Sequence, residues 1–206
     1  MGLRLRILGW WTPKYIIRKE LANLSDQTTT AIESLLAKYA SQELIGTTKQ
    51  QVPVPVSIEQ QRANMAQTHA KLVEILEAAL GHEKAVTLGR EALFSVGVNL
   101  GKQTRSKLGI GDSSNDLTKT AKILYSVLGI EFHVDWLDKS NAEVVIDRCA
   151  LAEHYSKLTC EVLSATDEGV IKGLQPNAKL QFKEYMTSGC RKCKADIHLN
   201  EKETIE

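Results

Sequence analysis

The hydrophobic period of this 206-residue chain changes at Gly129, and that change decides what each half can become. Up to Leu128 the apolar residues recur near every 3.6 positions, a spacing that only a helix gathers onto one face. From Ile130 the period is 2, because Ile130, Phe132, Val134 and Trp136 alternate with Glu131, His133, Asp135 and Leu137. That alternation predicts a half-buried strand. Asp138 to Asn141 reads as a turn and Ala142 to Cys149 as the partner strand, with Val144 and Ile146 on one face and Glu143, Val145 and Asp147 on the other. Two short helices are expected next, Ala150 to Leu158 and Cys160 to Leu174. A second hairpin then joins Lys179 to Thr187 and Lys192 to Leu199 through Ser188-Gly189-Cys190-Arg191. The expected fold is α+β, N-terminal helices followed by a ββααββ unit with a small antiparallel sheet.

In the helical half, Pro13 after Thr12 marks a helix start with Thr12 as its cap. Tyr15, Ile16, Leu21, Leu24, Ile32, Leu35 and Leu36 continue as a packing stripe to about Glu43. Trp10 and Trp11 among Arg4, Arg6, Lys14, Arg18 and Lys19 also suit an anionic membrane surface, but the packing stripe is the stronger reading. Gly46 to Val56, with Pro53-Val54-Pro55, forbids a helix and forms the internal boundary. Ser57 caps a helix stopped by Gly81, and another begins at once. Within that next helix Gly89, Gly97 and Gly101 recur at multiples of four, leaving one face nearly bare for a close-packed helix or, less readily, a ligand cleft. Gly109 to Asp116 lacks the Lys-Ser/Thr pair of a phosphate loop and is read as a helix stop, with Ser114 or Asn115 capping the next helix, through Leu117, Ala121, Leu124 and Leu128. Three segments result: 1–45 as a helical extension, 57–199 as an α+β domain with a cysteine cluster, and 200–206 as a charged tail. The first helix is expected to dock on the domain, or on a second copy of the chain as a homodimer.

Charge narrows the partners. Lys and Arg number 26 against 25 Asp and Glu, a formal net charge of +1, so nothing attracts nucleic acid globally. No apolar run approaches the ~18 residues of a membrane span, and the opening MGLRLRILGWW is short for a signal peptide. A cytoplasmic protein handling a small-molecule ligand or substrate is expected, with no nucleic acid and no transmembrane segment. Cysteine usage agrees, since four thiols, none before Cys149, suit a reducing compartment as free thiols or metal ligands.

Those cysteines carry the chemical accent. Cys190 and Cys193 form a C-x-x-C in the closing hairpin, Cys149 stands where a strand runs into a helix, and Cys160 begins another helix, where the dipole lowers a thiol's pKa. Cys149, Cys160, Cys190 and Cys193 are candidate ligands for zinc. An iron–sulfur cluster is less favoured because the compact Cys-x-x-Cys-x-x-Cys run is missing. The alternative stays open that they are small buried hydrophobes, as the alternation of Cys193 with Ala195, Ile197 and Leu199 suggests. Asp167, two helical turns beyond Cys160, is placed to join them or to hold a water, and Glu168 beside it belongs equally to a solvated face. His133 is expected to face solvent or an interface, and His154 has no further signal.

The stretch from Arg148 to Ile197 resembles the C-terminal part of the L-2-amino-thiazoline-4-carboxylic acid hydrolase family. There a Cys ends a strand, a second Cys precedes an Asp in a helix, and a closing hairpin carries Gly, a short gap and Cys. In this chain the matching residues are Cys149, Cys160, Asp167, Gly189 and Cys193. The stretch is also distantly similar to 4-vinyl reductase small-molecule-binding domains, in some of which cysteines bind zinc. It departs in having Ala150 where the family has Pro, and Phe182 and Tyr185 where the sensor-type domains have Glu and Cys. The hydrolase resemblance implies opening of a cyclic amidine or thiazoline C–N or C–S bond. Metal-bound water or a reactive thiolate such as Cys149 would attack, with Asp167 moving the proton. The second resemblance implies a non-catalytic binding or sensor module with a structural zinc.

Overall fold

The computed structural model describes residues 13–40 and 57–199. The Trp10-Trp11 end, the proline linker 46–56 and the tail 200–206 lie outside the described residues, as does the cap role of Thr12. Four helices come first: α1 (Lys14–Tyr39), α2 (Ile58–Leu80), α3 (His82–Leu108) and α4 (Ser114–Leu128). Strands β1 (Ile130–Trp136) and β2 (Asn141–Cys149) come next, then α5 (Lys157–Leu174), β3 (Ala178–Glu184), a 3-10 turn (Met186–Ser188) and β4 (Cys193–Leu199). The class is α+β, and the strands form one antiparallel sheet in the order β1-β2-β4-β3.

Local chemistry sets most boundaries. The Ser57 hydroxyl accepts the Gln60 N–H at 3.0 Å and starts α2. Gly129 ends α4 in the left-handed region, φ +70°. Three boundaries differ from the sequence reading, one of them β3, which stops at Glu184 because Met186–Ser188 wind into a 3-10 turn instead of continuing the strand to Thr187. The cap of α4 is Ser113, whose hydroxyl accepts the Asp116 N–H at 3.1 Å, not Ser114 or Asn115. A single helix, not two, joins the hairpins. Successive backbone bonds such as Ala152 N–H to the Cys149 carbonyl and His154 N–H to the Leu151 carbonyl wind residues 150–154 into turns. Helix α5 then starts at Ser156, which caps Thr159 N–H at 3.1 Å.

Helix α5 is the spine, because its two sides belong to two cores. Ile171 and Leu174 pack under the sheet with Ile130, Val144, Ile146, Leu180, Ala195 and Ile197. Leu158, Val162, Leu163 and Ala165 pack among Ile32 and Leu36 of α1, Leu72, Val73 and Leu76 of α2, and Leu93 of α3. Ile32 and Leu36 of the α1 stripe are thus buried within the chain. Helices α3 and α5 approach almost backbone to backbone. A Cβ on Gly97 would run into the Thr166 carbonyl and one on Gly101 into that of Val170, while Gly169 and Gly173 of α5 face back at the Phe94 and Val98 carbonyls. The glycine face read from the sequence is therefore a helix-packing face.

Candidate functional site

Between the inner face of the sheet and the helices lies a cavity of about 480 Å³. Its wall is mostly hydrocarbon, including Leu124 and Leu128 from α4, Phe132 and Val134 from β1, Val170 from α5 and Phe182 from β3. These six belong to the sheet-side core by position, yet each is only partly buried, because the hollow keeps them from close-packing. At the α1/α3 end the wall carries Glu20, Asn23, Thr104 and Lys107. Asn23 and Lys107 are exposed, so the cavity meets solvent there.

Three cysteines and one carboxyl gather on this wall: Cys149 from the end of β2, Cys160 and Asp167 from α5, and Cys193 from the start of β4. The sheet order places Cys193 beside β2, with Ile146 as its partner across the ladder. Helix α5 crosses the same face. The three thiols and the carboxyl lie close enough for each to feel the others' charge. Cys190 acts on Cys193 but sits in the loop between the 3-10 turn and β4, and it is not part of the wall.

Burial, not the helix dipole, governs these thiols. Cys160 lies in the first turn of α5, but its N–H is spent on the Ser156 carbonyl at 3.0 Å. Burial pushes its thiol up to about 12, against the lowering influence of the Thr187 hydroxyl. Cys149 and Cys193 are also pushed up by burial, although the Leu151 and Ala152 N–H groups at Cys149 and the Met186 N–H at Cys193, 3.2 Å from its sulfur, favour the thiolate. All three are thiols at neutral pH, the reverse of the reactivity expected from a helix start. Asp167 is partly buried on the cavity wall with no cation among the groups that act on it, and desolvation raises its carboxyl to about 7, held from going further by hydrogen bonding with Tyr125. Glu168, its neighbour, points away into a two-pronged pair with Arg90, at 2.7 and 2.9 Å.

Zinc needs deprotonated sulfur at ~2.3 Å, so binding it here would have to displace the protons that burial favours on Cys149, Cys160 and Cys193. Among the described residues no group of three or more His, Cys, Asp and Glu is disposed to hold a metal ion.

The same wall holds a polar chain that the sequence did not disclose. The Thr28 hydroxyl donates to the Leu24 carbonyl at 2.8 Å, so its oxygen receives the His69 Nε2–H at 2.8 Å, and His69 Nδ1 is left to accept the Tyr155 hydroxyl at 2.8 Å. Burial lowers His69 to about 4 and keeps it neutral, as this tautomer requires. Its three members are far apart in sequence, and no short motif marks them. His133, by contrast, lies half-exposed on the outer sheet face against Asp147 at 2.7 Å, and His154 sits in the turn after β2, outside the wall.

Solved structures with the same fold include a trafficking protein particle complex subunit 3 from Naegleria fowleri covalently bound to palmitic acid. It is 18% identical, with a TM-score of 0.54, over 68% of this chain and 95% of that one. The phenol-responsive sensory domain of the transcription activator PoxR, with phenol, is 15% identical, with a TM-score of 0.53, over 68% of this chain and 76% of that one. No curated protein matches the sequence. No helix among the described residues is long and apolar enough to cross a membrane. Residues 61–196, which run from α2 through the cavity wall to β4, match the model of one family, and the chain belongs to it: L-2-amino-thiazoline-4-carboxylic acid hydrolase.

Proposed function

We propose that this chain binds a small, predominantly apolar molecule inside the cavity. The observation that carries the reading is the hollow itself, about 480 Å³ and lined by core residues left partly unpacked. Its size is that of a ligand pocket. Palmitic acid and phenol in the two similar structures support an apolar occupant. The test is displacement of Nile red, a neutral apolar dye, from delipidated protein by octanol. Saturable displacement is expected, and it should vanish in Leu124→Trp, which fills the cavity from α4. Absence of saturable dye binding, or a Leu124→Trp variant that binds as well, would overturn it.

A second reading, hydrolysis of a cyclic amidine or thiazoline, has Asp167 in its favour, together with the family. A carboxyl near 7 inside a cavity is suited to take a proton from water and return it to a leaving group. In that reading water adds to the ring carbon between nitrogen and sulfur, one of its protons goes to the ring nitrogen, the C–S bond breaks as the C=O bond forms, and the other proton passes through Asp167 to the departing sulfur. This reading takes water as the attacking group in preference to Cys149, whose thiol burial holds toward the protonated form. Incubation with 2-amino-thiazoline-4-carboxylate should release a free thiol in wild type and not in Asp167→Asn; no release in wild type would sink this reading.

A further inference from the structure

Several polar groups of the cavity wall are engaged by the protein itself. The Tyr155, His69 and Thr28 protons are spent along their own chain. The Ser164 hydroxyl donates to the Glu161 carbonyl at 3.0 Å and receives Arg90 at 3.1 Å. The Tyr185 hydroxyl pairs with Ser164 at 3.1 Å, and the neutral Thr166 hydroxyl is buried on the wall without a partner. The charged group that remains deep in the cavity is the Asp167 carboxyl, with the Tyr125 hydroxyl, and the nearby guanidinium groups are engaged elsewhere. Arg90 holds Glu168, Arg62 caps α4 through the Ser126 and Val127 carbonyls, and Arg105 holds the Leu174 carbonyl and Asp112. Lys107 and Glu20, the other charged side chains of the wall, stand on α3 and α1. They are not among the groups that act on the Asp167 carboxyl.

Such an end discriminates between ligand charges. A carboxylate or phosphate would meet Asp167 with no positive charge to offset it. A neutral molecule fits but leaves the carboxyl protonated. A single positive charge gains the carboxylate as its counter-ion, and the aromatic rings add to it. Tyr125 and Phe132 meet edge to face with centroids 4.8 Å apart on the wall, and Tyr155 lines the same cavity, offering π-faces that attract a cation. Resting on the reading of the cavity as a ligand site, we propose that its natural occupant is a hydrophobic amine, with the ammonium paired to Asp167 and the apolar body between α4, α5 and the sheet.

The pairing fixes a proton balance. Below pH 7 the carboxyl must first release its proton to solvent, so amine affinity falls about tenfold per pH unit there and levels off above. The titratable groups facing the carboxyl are Tyr125 from α4, Cys149 from β2, Cys193 from β4, Tyr155 from the β2–α5 loop, and Cys160 and Glu168 from α5. The phenols and the buried thiols are raised and stay neutral between pH 6 and 8. Glu168 is held in its pair with Arg90, which is what α3 contributes here.

Octylamine, octanol and octanoate share one chain and differ in charge. Calorimetric titration of the full-length delipidated protein with each, at pH 6, 7 and 8, is the test. Octylamine is expected to bind at least tenfold more tightly than octanol at pH 8, to lose about tenfold between pH 8 and 6, and to release close to one proton at pH 6. The amine-to-alcohol ratio is expected to fall to about one in Asp167→Asn. Because both ligands are read on the same variant, a general loss of packing does not imitate that change. Octanol binding equal to octylamine, tighter octanoate binding, or a ratio retained in Asp167→Asn would overturn the amine assignment alone. Failure of all three compounds to bind would overturn it together with the ligand-site reading.

Discussion

Substituting Gly97 by Ala tests whether the α3–α5 crossing holds the cavity wall in place. In an isolated helix this change is favourable by about 1 kcal/mol. Here the new methyl group would overlap the Thr166 carbonyl oxygen and lie 2.9 Å from the Val170 nitrogen and 3.0 Å from the Gly169 Cα. All three are backbone atoms of α5, so no side chain can rotate out of the way and the helices must part. Overpacking costs about 1–3 kcal/mol even where side chains can give. With rigid neighbours, and after the propensity gain, the expected net loss is about 2–4 kcal/mol, a drop in Tm of roughly 5–15 °C. Gly109→Ala is the control. It sits at φ +64° with nothing within 4 Å of its would-be Cβ, so only left-handed strain of about 1 kcal/mol applies. Urea unfolding of both variants, with unchanged m-values, measures the difference. A Gly97→Ala variant no less stable than Gly109→Ala would refute the close crossing.

Three other outcomes are expected. Asp167 has its folded pKa raised from 3.8 to about 7, so its contribution is present at low pH and lost as pH rises from about 4 through 7, on the order of 4 kcal/mol in all; Asp167→Asn should remove that decline in pH-dependent urea midpoints, and a parallel profile would contradict it. His69 has the opposite sign, because a folded pKa lowered from 6.5 to about 4 makes stability fall as pH drops through that window. Asp167→Asn should therefore expose a rise in stability between pH 4 and 6.5 that His69→Gln abolishes. Tyr155→Phe leaves the buried His69 Nδ1 without its donor and should cost about 1–3 kcal/mol, read as a shift in denaturant midpoint; a neutral effect would argue against the Thr28–His69–Tyr155 chain.

Periodicity placed the long helices and the strands, because it is a property of single segments, but not the helix expected over Ala150 to Leu158, which is a run of turns. The alternation after Gly129 gave both hairpins, and their pairing into one antiparallel sheet is what two amphipathic ribbons sharing one apolar face require. Capping was legible only to within a few residues. Ser113 and Ser114 are chemically equal caps, as are Ser156 and Thr159 nearly so, and the choice falls to whichever hydroxyl meets an unpaired N–H. Four-residue spacing identified Gly97 and Gly101 as a bare face, but Gly169 and Gly173 became its partners only when α5 lay across it. Cys149, Cys160, Cys193 and Asp167 were visible by type and position. Whether a thiol is a nucleophile, a ligand or a wall depends on desolvation, a sum over neighbours that no local spacing encodes. The His69–Tyr155 contact joins residues 86 apart, and the cavity has no residues of its own. It is the space left where the apolar faces of α4, α5 and the sheet fail to meet, so only the tertiary arrangement of those faces could decide it.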